Sequence, residues 1–436
     1  MEVKHTTLDG QPAIQVSFTI KLNPKASLYA WESELALVQA AATTAATRAK
    51  LESMDTDGAP LICDGIKWTS KGKAKLLVET PGGCAEIQRH VYQTSAGGST
   101  RAPLDERAGL VGSCTPLFAR VLASKAAEMP ATVAAKDLAR NHFRPVSHTF
   151  VQDTACLAAT LAQKLAPESQ WTPETPPEAV AAVVVSLDGA MLNTVKDGWR
   201  QALCGSFSLY DKDGKRLEGF YTGCGPGVVP AEGKALFFKE AQETLERLKR
   251  HFPKAAVLGL SDAASDLTAW LAEHTSEQLI DFHHAAKYLT GAAPAFARGG
   301  ETTGEDWASA MRHTLRDEPG AAGNLAADMR GRLERGGGAG LTALEKKGLE
   351  AAARYFGNHH ERMDYAGWAA ENRPIGSGPV EAACKTIIKA RMTQSGMRWG
   401  VGTAHSIISL RALHRTEPRW ESFWEELDTR LRSAAL

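Results

Sequence analysis

What this sequence lacks already narrows its class. Among its 436 residues no apolar run reaches the ~18 residues that a membrane-spanning helix needs, and the longest candidate, 179–187, reads as a buried strand. The opening MEVKHTTLDG has no apolar core of the kind a signal peptide carries, so the expectation is a cytoplasmic protein without a membrane partner. Seven cysteines are an odd number and none forms a C-x-x-C pair, which argues against a disulfide framework and makes structural zinc unlikely. Neither sign of charge is in excess: 50 basic and 50 acidic residues cancel, which argues against a protein that coats nucleic acid by bulk charge. Any nucleic-acid site must therefore be a local patch. Internal repeats are absent, and the one low-complexity stretch is the joint RGGGAG at 335–340. What remains is ordinary globular composition, 43% apolar and 23% charged, at a length that fits two or three domains.

The texture changes along the chain. Residues 1–58 hold an alternating strand, QPAIQVSFTIKL at 11–22, and an Ala-rich helix over 27–54. Residues 59–100 carry two β-like runs around the turn signal PGGC, a ribbon-like hairpin unit. Residues 101–175 have helical spacing broken at Pro116, Pro130 and Pro145, a helical region of the kind that often binds DNA and more often is scaffolding. It runs into a linker, PESQWTPETPPEA at 167–179. From 176 to 290 strands come first and strand-to-helix units follow: AAVVVSLDG, a hairpin around DKDG, AAVLGLSDAASDLTAWLAEH and QLIDFHHAAKYLTGA. The implied fold class is α/β, a mixed sheet flanked by helices. Residues 291–373 contain no convincing strand and read as an all-helical insertion. Residues 374–436 place a Gly/Ser turn before a helix, with Ser377 as a cap-like residue, and end in amphipathic helix.

Three carboxylates stand out. Asp188 and Asp262 each end an apolar strand, and Glu381 opens a helix after a glycine-rich turn. Acids so placed can hold two divalent ions ~3.5–4 Å apart, an arrangement suited to phosphodiester chemistry. The bland alternative is equally concrete, since strand-end aspartates make turns and early helical glutamates complement the helix dipole.

The strings VSLDGAMLN, LGLSDAASDLTAWL, IDFHHAAKYL and above all PIGSGPVEAACKTIIKARMTQSGMRW resemble insertion-sequence DDE transposases of the ISKra family. The likeness runs from about residue 100 to the end, with PLDERAGL and SLRALHRTEPRWESFW in register, and is weak over the first hundred residues. The resemblance implies an RNase H-like catalytic core over 176–290 and 374–436, interrupted by the helical insertion and preceded by an N-terminal α+β DNA-binding region. It implies Asp188, Asp262 and Glu381 as catalytic residues and ligands of two Mg²⁺ or Mn²⁺ ions. The spacings, 262 − 188 = 74 and 381 − 262 = 119 residues, accord with an insertion in the second interval. The implied activity is binding to the element's terminal inverted repeats, cleavage at the ends and joining of the 3′-hydroxyls to target DNA, carried out by a homodimer or larger assembly in a bacterial cytoplasm, at the nucleoid when bound. An RNase H-like nuclease or resolvase without strand transfer, and a domesticated, non-catalytic DNA-binding protein, are the alternatives.

His283 and His284, at an expected strand end, resemble a family element that supports the metal site as outer hydrogen-bond donors; on a strand at most one would contribute. Lys385 can touch a phosphate or pair with Glu381 four residues earlier. Lys389, Arg391, Arg398 and Arg411 make the C-terminal part locally basic, either to position DNA or as a solvated face. Trp399 can stack on an unpaired base or fill a core. His359 and His360 read as surface residues. Where the family carries a cysteine-pair zinc ribbon, this chain reads LICDG and YQTSAGG with Cys63 and Cys84 nearby, too few ligands for zinc.

Overall fold

The structure, a computed structural model, describes residues 1–63, 65–166, 171–227, 229–262, 265–297, 303–334 and 340–433. Residues 167–170 of the expected linker and 335–339 of the glycine joint lie outside the described residues. The chain forms two compact units, one of residues 1–171 with 417–436, the other of residues 172–416.

In the first unit β1 (Glu2–Leu8) and β2 (Gln11–Ser17) pair antiparallel, so the expected strand at 11–22 is shorter and has a partner that the sequence reading omitted. Helix α1 (Leu28–Glu52) begins where the Ser27 hydroxyl accepts the Ala30 N–H. The hairpin region is a three-stranded antiparallel sheet, β3 (Leu61–Cys63), β4 (Ile66–Glu79) and β5 (Cys84–Thr94), with the Pro-Gly-Gly turn between the two long strands. Helices α2 (Pro103–Arg107), α3 (Pro116–Glu128), α4 (Ala131–Asn141) and α5 (His148–Leu165) follow, with Pro103 and Pro116 at first-turn positions, where a missing N–H costs nothing. The C-terminal helix, Glu417–Ser433, packs against α2, α3 and α5. It belongs to this unit and not with the preceding residues of the expected 374–436 segment.

The second unit is built on a five-stranded sheet, β6 (Ala182–Thr194), β7 (Gly198–Tyr210), β8 (Arg216–Cys224), β9 (Ala256–Ser261) and β10 (Glu277–Ile280). Its order is β10-β9-β6-β7-β8. The pairs β6–β7 and β7–β8 are antiparallel, while β9 runs parallel to β6 and β10 parallel to β9, so β7 alone opposes the rest. Central β6 is buried from Ala182 to Leu187 because helices cover both sheet faces, which is why it reads as a continuous apolar run. Helix α6 (Pro230–His251) joins β8 to β9, and α7 (Ser265–His274) joins β9 to β10. After α8 (Phe282–Ala292) come α9 (Gly304–Asp317), α10 (Ala321–Glu334), α11 (Ala343–His359) and α12 (Tyr365–Ala370), without a strand among the described residues. Val184, Leu258, Leu260 and Ile280 of the sheet share one core with Leu289, Met329, Leu349 and Phe356 of these helices. At ~1.5–3 kcal/mol per fully buried large apolar side chain, this packing fixes the helical segment on the sheet. The chain returns as α13 (Gly378–Ala383), a π-helical stretch at Cys384–Lys389, α14 (Ala390–Met392) and α15 (Val401–His414). Helix α15 lies against β8, and a Cβ on Gly225 would come within 2.5 Å of His405 Cα, so that close approach needs glycine.

Candidate active site

The sheet register sets the geometry of the acids. Ser186 of β6 stands opposite Leu260 of β9, so two residues further on Asp188 and Asp262 fall at one level and on one face. Ile280 of β10 stands opposite Ser261, which puts Asp281 at that level too. Adjacent strands are ~4.8 Å apart, so neighbouring carboxylates interact strongly. Burial raises the Asp188 carboxyl above its ordinary value and the charge of Asp262 adds to the rise; the Gly189 N–H, at 2.6 Å, the Cys384 thiol and the Lys389 charge offset part of it.

Asp281 is engaged in structure. It is buried; one oxygen accepts the His284 N–H at 2.5 Å and caps α8, and the other accepts the Ser377 N–H at 2.5 Å and its hydroxyl at 2.7 Å. Ser377 thus stands at the N-cap position of α13, as expected, but its hydroxyl donates to Asp281 and makes no side-chain cap bond. Phe282 N–H donates to the Ile375 carbonyl as well, so the turn before Glu381 is fastened to the end of β10 beside Asp262.

Helix α13 and the π-helical stretch pack on β6 and β7. Cys384 is buried with its sulfur 2.9 Å from that of Cys204, the residue directly opposite Asp188 on β7. Glu381 lies one turn before Cys384, with its side chain 62% exposed and its carboxylate 3.1 Å from the Lys385 ammonium. Of the three expected acids the structure brings Asp188 and Asp262 to one level, while Glu381 is exposed and paired with Lys385; among the described residues no group of three His, Cys, Asp or Glu side chains converges to hold a metal. Two carboxylates at one level, both half-buried, with oxygen donors only, nonetheless suit a hard divalent cation.

An aromatic cluster borders the acids. Tyr355 of α11 stacks on Tyr288 of α8 at 3.8 Å between centroids, with His284 and His359 against it. Burial, the neighbouring Tyr288 and the charges of Asp262 and Asp281 push its hydroxyl far above the ordinary range. That hydroxyl and the one on Tyr365 are buried without a hydrogen-bond partner among the described residues.

The other expected site residues divide by burial. His283 and His284 occupy the first turn of α8, not a strand, so the opposite-face argument does not apply. His283 packs at the Gly376 turn, where an added Cβ would lie 3.2 Å from its ring, and His284 joins the aromatic cluster. His359, expected at the surface, is half-buried, and burial and the Arg362 charge lower its pKa; His360 is exposed. Lys385, Lys389 and Arg398 are exposed, Lys385 in its pair with Glu381 and Arg398 donating to the Val195 carbonyl at 2.9 Å. Arg391, Arg411 and Trp399 are 4%, 3% and 9% exposed, which corrects their reading as DNA contacts. Trp399 donates its indole N–H to the Met392 carbonyl and lies under the Arg391 guanidinium, whose pKa burial lowers to about 10. Arg411 donates to the carbonyls of Thr386 and Ile387 inside the π-helical stretch.

The sequence reading missed Asp281, Cys384 and Tyr355 as members of this region. For Asp281 a signal existed, an aspartate between a strand and a helix, the usual N-cap position. No family model and no curated protein matches the chain.

Proposed function

We propose that the chain is a DDE-type DNA transposase with an RNase H-like core, which binds the terminal inverted repeats of an insertion sequence, cleaves at the ends and joins the 3′-hydroxyls to target DNA. The observation that carries this reading is the matched register of Asp188 and Asp262 on the parallel neighbours β6 and β9, in a sheet whose second strand alone runs opposite. The order β10-β9-β6-β7-β8 is the arrangement expected of an RNase H-like core, with the helix of Glu381 packed across its first two strands.

Asp188 and Asp262 supply carboxylate oxygens for Mg²⁺ or Mn²⁺. Divalent cations there would lower the pKa of a water or a 3′-hydroxyl and neutralise charge on the departing oxygen. Glu381 would complete the set on leaving Lys385. An exposed i,i+4 pair is worth only ~0.3–0.5 kcal/mol, little beside the attraction of a carboxylate to a divalent ion. Exposed Lys385 and Lys389, on the helix of Glu381, and Arg398, in the connection before α15, would then contact DNA phosphates. Two element ends require two copies of the site, hence a dimer or a larger assembly on DNA.

The test is cleavage and joining of an oligonucleotide bearing an element end, with Mg²⁺ or Mn²⁺ supplied. Asp188→Asn, Asp262→Asn and Glu381→Gln should each lose more activity than the roughly 10–100-fold that follows removal of a group merely supporting a metal ligand. Retained cleavage by any of the three rejects that residue's assignment. The pairing of Glu381 with Lys385, with no third acid gathered beside Asp188 and Asp262 among the described residues, favours a second reading, a protein that binds DNA without cutting it; metal-dependent cleavage by the wild-type chain rejects that. Cut 3′-hydroxyl ends that never join a second duplex would identify a nuclease.

A further inference from the structure

Cys204 and Cys384 lie 180 positions apart in sequence, yet their sulfurs stand 2.9 Å apart in the interior, both as free thiols. Closing that gap to the ~2.05 Å of a disulfide takes a movement of about 0.9 Å. Their setting makes the pair consequential. Cys204 sits on the strand between β6 and β8, opposite Asp188, and Cys384 sits on the helix of Glu381 with its thiol donating to the Asp188 carboxylate. One sulfur is thus fixed in the sheet, and the other belongs to the element that brings the third acid.

We propose that Cys204 and Cys384 form an oxidation site, closed to a disulfide by a peroxide, that ties the Glu381 helix to β7 and withdraws a hydrogen bond from Asp188. One thiol gives up its proton and attacks the peroxide, forming a sulfenic acid and releasing water. The second thiol then displaces hydroxide from that sulfur, and with the thiol proton this leaves as a second water. Overall two S–H bonds break, one S–S bond forms, and the electron pair reduces the peroxide O–O bond. The thiols are 0% and 1% exposed, so the reaction is slow and selects a small oxidant. In the disulfide, Asp188 keeps only the Gly189 N–H of its two donors and loses part of its orientation. This consequence rests on the reading of Asp188 as a cation ligand; bond formation itself does not.

The experiment treats the full chain with millimolar hydrogen peroxide, maps its peptides without reduction, and titrates Mn²⁺ into the reduced and oxidised forms. The expected result is a loss of two hydrogen masses, a peptide containing Cys204 linked to one containing Cys384, and Mn²⁺ binding about tenfold weaker until dithiothreitol restores it. Cys204→Ser should abolish the cross-link and leave Mn²⁺ binding insensitive to peroxide. No cross-link while exposed Cys84 becomes oxidised would overturn the site, and a cross-link with unchanged Mn²⁺ affinity would overturn its control of Asp188. Mn²⁺ binding by neither form would instead reject the cation reading of the acids, with the peptide map still deciding the oxidation site.

Discussion

Asp188 is half-buried and level with a second carboxylate, Asp262, and the fold bears the cost of ionising it there. Burial first, then Asp262, raises its carboxyl above the ordinary 3.8, and the Gly189, Cys384 and Lys389 contacts cancel only part of that. A carboxyl with a higher pKa in the folded than in the unfolded chain holds its proton where the unfolded chain has lost it. Stability therefore falls as pH rises through the window just above 3.8 and stays lowered at pH 7. With a chelator present, Asp188→Asn should melt above wild type at pH 7, and the difference should shrink as pH is lowered toward 3.8. A difference that does not change with pH, or a variant that melts lower throughout, would show that Asp188 is held by its contacts and not against its desolvation. The contrast with Asp281 is instructive: a third aspartate at the same level has both oxygens occupied by donors of α8 and the Ser377 turn, so it is a fastening and not a free ligand.

The helix from Gly378 to Met392 links the acids to the basic residues, and its winding decides which side chains reach them. In an α-helix, residues five apart are turned by roughly 140° from one another. In a stretch bonded i→i+5 they come back to nearly the same face, and here both Cys384 and Lys389 act on Asp188. Arg411 of α15 donates to the Thr386 and Ile387 carbonyls within that stretch. Arg411→Met should leave those buried carbonyls short of a donor and cost about 2–4 kcal/mol. Chemical denaturation measures the loss, and hydrogen exchange over 384–389 should rise before the rest of the sheet opens. An unchanged midpoint would mean that the stretch does not depend on Arg411. Much around this helix was legible beforehand and some was not. The apolar run of β6 and the DKDG turn announce their strands because burial on both faces and a tight reversal over residues 211–215 leave local marks. The π winding leaves none, since CKTIIKAR has the spacing and propensity of an ordinary helix. Arg391 and Arg411 were misread for a related reason: charge in a sequence signals water, and nothing local tells of a carbonyl pair or an indole waiting in the interior. The Cys204–Cys384 pair depends on strand register and helix placement together, which no spacing encodes.

Across the whole molecule the division into two units has one feature that no local pattern announces. The amphipathic spacing of WESFWEELDTRL says that one face will be covered, but the same face could cover any core, and sequence order favours the neighbouring α15. Instead Trp420, Phe423, Trp424 and Leu427 are all buried, at 2–7% exposure, and the helix packs with α2, α3 and α5. Arg120 pairs with Glu421, and Arg419 lies over the Trp171 ring at 5.9 Å. At ~1.5–3 kcal/mol for each large apolar side chain, these four contribute on the order of 6–12 kcal/mol, as much as a domain's whole net stability of ~5–15 kcal/mol. The first unit should therefore fail without the last twenty residues, although its other 171 form one unbroken segment. A chain ending at Thr416 should lose amide protection in α3 and α5 while β6, β7 and β9 keep theirs, read by hydrogen exchange with peptide resolution. Full protection of α3 and α5 in the shortened chain would show that the N-terminal helices complete their own core, and loss in the sheet as well would show that the two units do not fold separately.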